Sequence, residues 1–374
     1  MRVLQISSAR NFGGGERHFV DLCRGLQMQG HEVFVALRPT NEWQNRLDFI
    51  EPENILHVSI RNSFGVLSAM RIAEYVRDNQ IDIVHAHVAR DYIPASIACL
   101  AAPNAKFVLT RHVLFPLKPF NRFALKNLSY AIGVSDAVGT GLKRVFPAEK
   151  VRVVANGIDA GNYVGQDPGL LREEFRSLHN IEHDVPLVGT LGELKELKGQ
   201  RDFVLAAHEI SKTHPDTRFV VVGKDNTIDK EFRRELKRLV KVFGLDDRFT
   251  WLDWIDDPAP FFAAIDIFVS PSLSESFGLA ILEAMFNEKA VVATETEGAR
   301  QLIGDIRLLA PVSEPIAMAE KMRELLDDPG RCRELGSKLK QRAARSYSLD
   351  RMISETIGIY KSVVTTPENA ISDQ

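Results

Sequence analysis

The chain has 374 residues, which is too long for one ordinary hydrophobic core and enough for two domains. Hydrophobic residues make up 45% and charged residues 26%, a composition that excludes a disordered chain, and no apolar run predicts a transmembrane helix. The whole chain has a net charge of −3, but residues 1–160 carry 19 Lys and Arg against 14 Asp and Glu. This positive half either faces an anionic partner, such as a membrane or a phosphorylated acceptor, or reflects ordinary scatter of charge.

Strand and helix patterns alternate along the first half. Strands are predicted at Arg2–Ile6, Val33–Leu37, Ile55–Ile60, Ile81–His85, Lys106–Thr110 and Tyr130–Val134, and helices at Glu16–Gln29 and Phe64–Asn79. The second half repeats the pattern, with strands at Leu187–Thr190, Arg218–Val222, Phe249–Leu252, Ile267–Ser270 and Ala290–Ala293. Its helices are predicted at Gln200–Thr213, Lys230–Phe243, Pro258–Ala264, Leu279–Asn287 and Leu349–Val363. The fold class is therefore α/β, with two doubly wound parallel sheets.

The domain boundaries follow from breaks in this alternation. The first domain is predicted at 1–160 and the second at 161–347, with the join in the Gly- and Asp-rich stretch 157–168. A C-terminal helix at 348–364 and a polar tail at 365–374 complete the chain. Ligands of doubly wound sheets bind at the carboxyl ends of the strands, so we expect the functional motifs just after strands.

Cysteine usage and the N-terminus indicate a cytoplasmic location. Cys23, Cys99 and Cys332 are far apart and lack metal-binding spacing, which predicts reduced thiols. The first residues, MRVLQISS, lead directly into a strand without the long apolar segment of a signal peptide.

Three motifs of the first half follow predicted strands. Asn11–Glu16 (NFGGGE) opens a helix, and its glycines either let the backbone approach an anion or simply form a tight turn. The two histidines of His85-Ala86-His87 end a strand and are either structural or directed at a ligand, and a zinc site would need a third ligand that this spacing does not supply. His112, in Thr110-Arg111-His112, is placed either beside a reacting sugar carbon or in a capped turn.

Two motifs of the second half carry charges. Gly192–Gly199 joins a strand to a helix, and its Lys198 is positioned to reach a diphosphate, although the spacing is not that of a P-loop. Glu275 and Glu283 are eight residues apart, one in the loop after a strand and one two helical turns further on. Carboxylates pair well with sugar hydroxyls, so one can contact a sugar ring and the other a ribose, whereas the alternative is a surface helix with ordinary glutamates.

The order of these motifs resembles the retaining GT-B glycosyltransferases of family GT4 (glycosyl transferases group 1). The resemblance covers about residues 1–360 and rests on the motifs above together with Val134-Ser135-Asp136 and Asn156-Gly157-Ile158-Asp159. It implies two Rossmann-like domains that face a central cleft, the first for the acceptor and the second for the nucleotide-sugar donor. It also implies that the C-terminal helix crosses back to the first domain.

The resemblance assigns roles to individual residues. Three are implied to be catalytic: Glu275 contacts the donor sugar hydroxyls, Lys198 neutralises the diphosphate, and His112 lies against the sugar. Glu283 is implied to bind the ribose, and the remaining donor-binding residues are Gly14, Gly15, Glu193, Phe277, Gly278 and Leu279. Glu193 stands where the family usually has Arg, and Gln301 where it usually has Glu, which leaves a weakly active protein open.

We expect sugar transfer with retention and without a metal or other cofactor. No DxD-type metal motif is present, and Lys198 with helix N-termini can stabilise the leaving diphosphate. No carboxylate base is identified opposite Glu275, which favours front-face transfer assisted by the leaving phosphate. The expected substrates are a UDP- or GDP-sugar and a saccharide or lipid-linked acceptor in lipopolysaccharide or cell-envelope synthesis, with no nucleic acid as partner.

The stretch 113–131 mixes aromatic and basic residues. Phe115, Leu117, Phe120, Phe123, Leu125 and Leu128 alternate with Lys118, Arg122 and Lys126. Such a stretch either lies on an anionic membrane, which would place the protein peripherally on the inner face of the cytoplasmic membrane, or forms a helix packed on its own domain.

Three other functions remain open from the sequence. A sugar-nucleotide epimerase with the GT-B architecture would convert the donor without an acceptor, and a non-catalytic module would bind the donor without transferring its sugar. A nicotinamide oxidoreductase is disfavoured because the GxGxxG motif is missing.

Overall fold

The computed structural model describes residues 1–60, 65–159, 161 and 167–364. The chain divides into two compact units, Met1–Gly157 with the C-terminal segment from Leu349, and Ile158–Ser348, where the sequence predicted divisions at 160/161 and 347/348. The predicted tail 365–374, Phe64, and residues 160 and 162–166 of the predicted join lie outside the described residues.

The first unit is a parallel sheet with helices packed against it. Its strands are β1 Arg2–Ser7, β2 Glu32–Leu37, β3 Ile55–His57, β4 Ile83–Ala86, β5 Lys106–Arg111, β6 Leu128–Gly133 and β7 Val151–Val153. Its helices are α1 Gly14–Met28, α2 Val66–Asp78, α3 Tyr92–Ala101, α4 Asn121–Ala124, α5 Asp136–Lys143 and the last helix of the chain, α14 Leu349–Val364. The strand order is β3-β2-β1-β4-β5-β6-β7, and every described pairing is parallel.

Helix α14 belongs to the first unit because it packs against α1. A Cβ placed on Gly25 of α1 would lie 1.9 Å from the Ile353 side chain, so the missing side chain allows the two helices to approach closely. Ile353 and Tyr360 of α14 share a hydrophobic core with Phe19 and Leu22 of α1.

The second unit repeats the arrangement with six strands. They are β8 Leu187–Leu191, β9 Arg218–Val222, β10 Phe249–Leu252, β11 Ile267–Ser270, β12 Ala290–Thr294 and β13 Leu309–Ala310. The helices are α6 Pro168–Leu178, α7 Gln200–Ser211, α8 Glu231–Val242, α9 Ala259–Ala264, α10 Leu279–Phe286, α11 Glu297–Ile303, α12 Pro315–Leu326 and α13 Pro329–Ser346. Counted from its own first strand, the order β10-β9-β8-β11-β12-β13 equals the first six positions of the other sheet.

Both sheets therefore reverse their strand order at one point, between β1 and β4 and between β8 and β11. At such a point the loops that follow the two neighbouring strands diverge to opposite faces of the sheet and leave a crevice for ligands. The predicted α/β fold class with two doubly wound parallel sheets is confirmed, and the reversal indicates where each unit binds its ligand.

Some predicted elements are wrong in extent. The strand predicted at Ile55–Ile60 pairs only over Ile55–His57. Helix α3 was not predicted because most of its residues are apolar and buried, so its sequence lacks an amphipathic period. A helix over 113–131 is also wrong, since only Asn121–Ala124 is helical there.

Two further sequence features are tested by the structure. Cys23, Cys99 and Cys332 are all buried and form no disulfide. Within the described ranges, no helix has both the length and the apolar character needed to cross a bilayer.

Candidate active site

Two loops of the second unit flank the reversal of its sheet. The Lys198 loop, residues 192–199, follows β8, and the Glu275 loop, residues 271–278, follows β11. Gly199 ends the first loop with φ +66°, and a Cβ there would lie 1.9 Å from the carbonyl oxygen of Pro271. Only glycine permits this approach, which brings the Lys198 loop directly against the Glu275 loop.

The Glu275 loop is held by hydrogen bonds from its neighbours. The Leu273 N–H donates to the carbonyl of Leu197 at 2.9 Å, and the Gly298 N–H donates to the carbonyl of Glu275 at 3.0 Å. The Thr294 hydroxyl, at the end of β12, donates to the carbonyl of Ser270 at 3.3 Å. The backbone around Glu275 is therefore fixed before any ligand is bound.

Lys198 and Glu275 form an ion pair between these two loops. Lys198 Nζ lies 2.5 Å from Glu275 Oε2, and the two side chains are 28% and 15% exposed. The Ser272 hydroxyl lies 3.5 Å from the same carboxylate oxygen. The two predicted catalytic residues of this unit are thus brought together, with enough exposure for a ligand to reach both.

The residues after Glu275 lead into helix α10. Gly278 adopts φ +101°, a left-handed conformation that favours glycine, and Leu279 begins the helix. Phe277 is buried, and the Glu283 side chain, within α10, is only 4% exposed. Because a buried carboxylate needs polar partners, Glu283 is a more constrained acidic group than Glu275.

Glu193 is held by partners that the sequence only partly indicated. Its carboxylate is paired with Lys195, and the Asn226 side chain donates to its other oxygen at 3.0 Å. Burial raises the pKa of Glu193, but the hydrogen bonds from Lys195 and Asn226 outweigh it and lower the pKa overall. The acidic side chain is therefore compensated within its own loop.

The first unit contains a histidine cluster, His18, His85, His87 and His112, at the carboxyl ends of its strands, of which His112 is partly exposed and the other three are buried. His18 is on α1, His85 lies within β4, His87 directly follows β4, and His112 directly follows β5. Gly15 borders the cluster, since a Cβ on it would lie 3.5 Å from the His112 ring. Gly14 begins α1. Sequence reasoning missed His18, although its position in the first turns of the helix after the glycine loop was a usable signal.

A chain of hydrogen bonds fixes the inner part of the cluster. The Gln5 amide donates to the Tyr360 hydroxyl at 3.0 Å, and this hydroxyl contacts His85 Nδ1 at 2.5 Å. His85 Nε2 lies 2.8 Å from the Thr110 hydroxyl, so both ring nitrogens of His85 are used within the unit. Of the two roles considered for His85, structural or directed at a ligand, these bonds favour the structural one.

The outer part of the cluster consists of three rings. His87 Nε2 donates to the side-chain oxygen Oε1 of Gln5 at 2.7 Å, which leaves His87 Nδ1 unprotonated and 3.3 Å from His112 Nε2. Burial lowers the pKa of His18 to about 4, and burial and neighbouring histidines lower those of His87 and His112. These imidazoles are neutral at pH 7.

A cavity of about 420 Å³ in the first unit was not predicted. It is lined by Arg38, Pro39, Thr40, Ser59, Ile60 and Arg90. Arg38 follows β2 and Arg90 follows β4, so the cavity lies at the carboxyl edge of the sheet. Two guanidinium groups beside hydroxyls are typical of sites for phosphate or carboxylate groups.

The stretch 113–131 leaves its aromatic residues at the surface. Phe115 is 69%, Phe120 50% and Phe123 75% exposed. Leu125 and Leu128 are buried and anchor the stretch to the unit.

Comparison with protein-family models identifies both units. Residues 12–162 match the model described as Glycosyltransferase Family 4, and residues 172–344 match the model described as Glycosyl transferases group 1.

Two relatives align with most of the chain. The N-acetyl-alpha-D-glucosaminyl L-malate synthase of Bacillus anthracis is 26% identical over 381 aligned positions, which cover 96% of each chain. The lipopolysaccharide core biosynthesis glycosyltransferase LpsE of Rhizobium meliloti is 25% identical and covers 84% of this chain and 86% of its own.

Solved structures share the architecture. A glycosyltransferase from Rickettsia africae superposes with a TM-score of 0.87 at 24% identity, covering 98% of this chain and 99% of its own. HepE from Anabaena, crystallised with UDP-glucose, superposes with a TM-score of 0.83 at 21% identity, covering 98% of this chain and 100% of its own. With its two units matched by these two models in sequence, the chain belongs to the family 4 glycosyltransferases and has the GT-B fold.

Proposed function

We propose that this glycosyltransferase moves a sugar from a UDP- or GDP-sugar to an acceptor, with retention of anomeric configuration and without a metal ion. The observation that carries the proposal is the pairing of Lys198 with Glu275 at 2.5 Å, at the point where the strand order of the second sheet reverses. It is supported by HepE, whose structure was solved with UDP-glucose.

Lys198 serves the leaving group. Its ammonium contacts the donor diphosphate and offsets the negative charge that builds up as the bond to the sugar breaks. Helices α7 and α10 begin beside the two loops, and their N-terminal N–H groups share the same charge. The backbone of Phe277, Gly278 and Leu279 contributes at α10. In the free protein, Glu275 neutralises Lys198. When the donor binds, its diphosphate replaces Glu275 as the partner of Lys198.

Glu275 and Glu283 then bind the two sugars of the donor. Glu275, released from Lys198, accepts hydrogen bonds from hydroxyls of the transferred sugar, and the buried Glu283 accepts those of the ribose. Glu193 contributes to donor binding through the loop in which it lies. Its negative charge is compensated by Lys195 and Asn226.

The reaction proceeds on one face of the sugar. The bond from the anomeric carbon to the phosphate oxygen breaks, the acceptor oxygen bonds to the same face, and its proton passes to the departing diphosphate. The family resemblance assigns His112 to the transferred sugar and Gly14 and Gly15 to the diphosphate, and the proposal includes these roles for the first unit. Lys198 and the helix N-termini supply the positive charge for this step, so no metal ion is required.

The acceptor carries a negatively charged group. The cavity in the first unit supports this proposal, since two arginines, Arg38 and Arg90, are among the residues that line it. A phosphorylated saccharide or a lipopolysaccharide core oligosaccharide has this chemistry, and LpsE is a relative that acts in lipopolysaccharide core synthesis.

The function is tested by incubating the purified protein with UDP-glucose, UDP-N-acetylglucosamine or GDP-mannose and with a hexose phosphate, L-malate or a core oligosaccharide. We expect a product whose anomeric proton coupling in NMR shows the donor configuration, at a rate that EDTA does not change. An inverted product, or activity lost in EDTA and restored by Mg²⁺ or Mn²⁺, would overturn the mechanism. Donor converted without acceptor would identify an epimerase, and donor bound but never consumed a binding protein.

A lipid-linked acceptor implies contact with the inner face of the cytoplasmic membrane. Phe115, Phe120 and Phe123 are exposed beside basic residues and would insert into an anionic lipid surface. We expect sedimentation with phosphatidylglycerol vesicles at low salt, and its loss in the double variant Phe115→Ser and Phe123→Ser. Ile228→Ser, which removes an apolar side chain that is 86% exposed in the second unit, is the control. Equal binding by both variants would contradict the membrane contact.

A further inference from the structure

The outer histidines of the first unit offer nitrogen ligands at the spacing of a metal site. One ligand atom each from His18, His87 and His112 lies within 4.8 Å of the other two. Zinc binds imidazole nitrogen at about 2.0–2.1 Å, which places two ligands of a tetrahedral site about 3.3 Å apart. His87 Nδ1 and His112 Nε2 are separated by 3.3 Å, the length of one such edge.

His18 supplies the third nitrogen. Its side chain is buried, and its Nδ1 makes no hydrogen bond of ordinary geometry among the described residues, with the Asn156 side chain as its polar neighbour. One ring nitrogen of His18 belongs to the group of three, and a metal ion between the three rings would bond to it. The ligand atoms that are furthest apart must approach each other by at most about 1.5 Å to reach the separation in a tetrahedral site, and small side-chain rotations can supply this movement.

The residues behind the three rings support ligation. Metal-bound histidines generally donate their second ring N–H to an oxygen, which fixes the tautomer and raises ligand basicity. His87 does this through Nε2 to Gln5, and Gln5 is itself held by Tyr360. His85 uses both of its nitrogens within the unit and is therefore excluded as a fourth ligand.

From this geometry we propose that His18, His87 and His112 form a three-histidine site for Zn²⁺ or a related late transition metal. Three neutral imidazoles with no carboxylate among them match the preference of Zn²⁺, Cu²⁺ and Ni²⁺ rather than Mg²⁺ or Ca²⁺. The metal replaces the proton between His87 and His112, and a water molecule completes the coordination. Because His112 is also a residue of the proposed transfer site, bound Zn²⁺ inhibits transfer, and this part rests on the proposed function.

Binding is measured directly with Co²⁺ as a spectroscopic probe, on the full chain without a polyhistidine tag. We expect one equivalent of Co²⁺ to give the visible absorption of a tetrahedral site, and one equivalent of Zn²⁺ to remove it. His18→Gln and His87→Gln each weaken binding by at least about tenfold. The control is His57→Gln, an exposed histidine of the same unit bonded to Gln44 at 2.8 Å, which should bind as the wild type does.

The absence of a one-equivalent Co²⁺ signal, unchanged binding in His18→Gln, or an equal loss in His57→Gln would overturn the site. X-ray absorption of the Zn²⁺-loaded wild type gives a readout that does not depend on folded variants: three imidazoles at the metal are expected, and one or none would refute it. Saturating Zn²⁺ should lower transfer at least tenfold, with recovery in EDTA. A protein that binds Co²⁺ but shows no transfer would refute the transfer proposal and leave the metal site standing.

Discussion

The two units share a strand order but differ in the chemistry that they hold at the reversal of the sheet. The first unit buries neutral imidazoles in a network that includes Gln5 and Tyr360. The second places the opposite charges of Lys198 and Glu275 on loops that solvent reaches. Neutral polar groups tolerate burial when they are hydrogen-bonded, whereas a charged pair loses more from desolvation. This difference fits the proposal that the donor diphosphate binds beside Lys198 and Glu275 of the second unit.

The largest expected effect is on transfer through the charged pair. Lys198→Ala and Glu275→Gln should each lower kcat by about 10²–10³-fold, since each removes a contact to the developing charge or to the sugar. Steady-state assays with a saturating donor measure this. The matched control is Lys212→Ala, which breaks a more exposed pair with Glu209 at 2.7 Å in the same unit. A comparable loss in Lys212→Ala would remove the distinction between the two pairs.

The buried imidazoles should make the first unit sensitive to acid. His18 has a folded pKa of about 4 because it is buried, against 6.5 when unfolded, so the unfolded state binds the extra proton between these values. The free energy of unfolding is therefore highest above pH 6.5 and falls as the pH drops towards 4. His18 alone lowers it by about 1.4 kcal/mol per pH unit, which amounts to about 3 kcal/mol over this whole pH range. Urea unfolding from pH 4.5 to 7.5 measures it, and His18→Gln should have a shallower slope. Equal slopes would contradict the assignment.

The contact between the two loops of the second unit depends on Gly199. Gly199→Ala combines a positive φ with a Cβ 1.9 Å from the Pro271 oxygen, and we expect a loss of about 2–3 kcal/mol in the free energy of unfolding. Gly244→Ala is the control, because Gly244 has the same φ of +66° with nothing within 4 Å of the added Cβ. Chemical unfolding should place the Gly244 variant within about 1 kcal/mol of the wild type. Equal losses would mean that backbone strain alone, and not the loop contact, is being measured.

The smallest effect concerns the network behind the histidines. Tyr360→Phe removes a buried hydroxyl that bonds to His85 and Gln5, and should lower the free energy of unfolding by about 1–2 kcal/mol. Tyr75→Phe removes a more exposed hydroxyl bonded to the Glu53 carbonyl at 3.1 Å and should cost less. Thermal unfolding of the two variants gives the comparison, and a larger loss in the Tyr75 variant would contradict a network held by Tyr360.

The sequence predicted part of the second unit accurately, although α6, α11, α12, α13 and β13 were not predicted. β9, β10 and β11 were predicted to the residue, because each is a short apolar run bounded by turn residues. Lys198 and Glu275 follow two of the strands that surround the reversal, so their proximity could be inferred from motif order. The ion pair between Lys198 and Glu275 could not be inferred. The two residues are 77 positions apart, and the geometry of their side chains depends on the contact of Gly199 with the Glu275 loop.

The first unit shows what motif order leaves out. His18 lies on a helix after the glycine loop, and Tyr360 is 275 residues from the His85 that it contacts. The contact between Tyr360 and His85 follows from how α14 packs on α1 and has no local signature, whereas the position of His18 after the glycine loop was a signal that went unused. The cavity between Arg38 and Arg90 was likewise hidden, because its residues come from three separate loops, after β2, β3 and β4.

Lys198 is proposed to bind the donor diphosphate, and Glu275 to pair with Lys198 until the donor binds. Calorimetric titration with UDP, which lacks the transferred sugar, tests both parts. We expect Lys198→Ala to bind UDP at least about tenfold more weakly, because a charge-assisted hydrogen bond is lost. Glu275→Gln should bind UDP as tightly as the wild type or more tightly. Unchanged binding in Lys198→Ala, or equal weakening in both variants, would contradict the account.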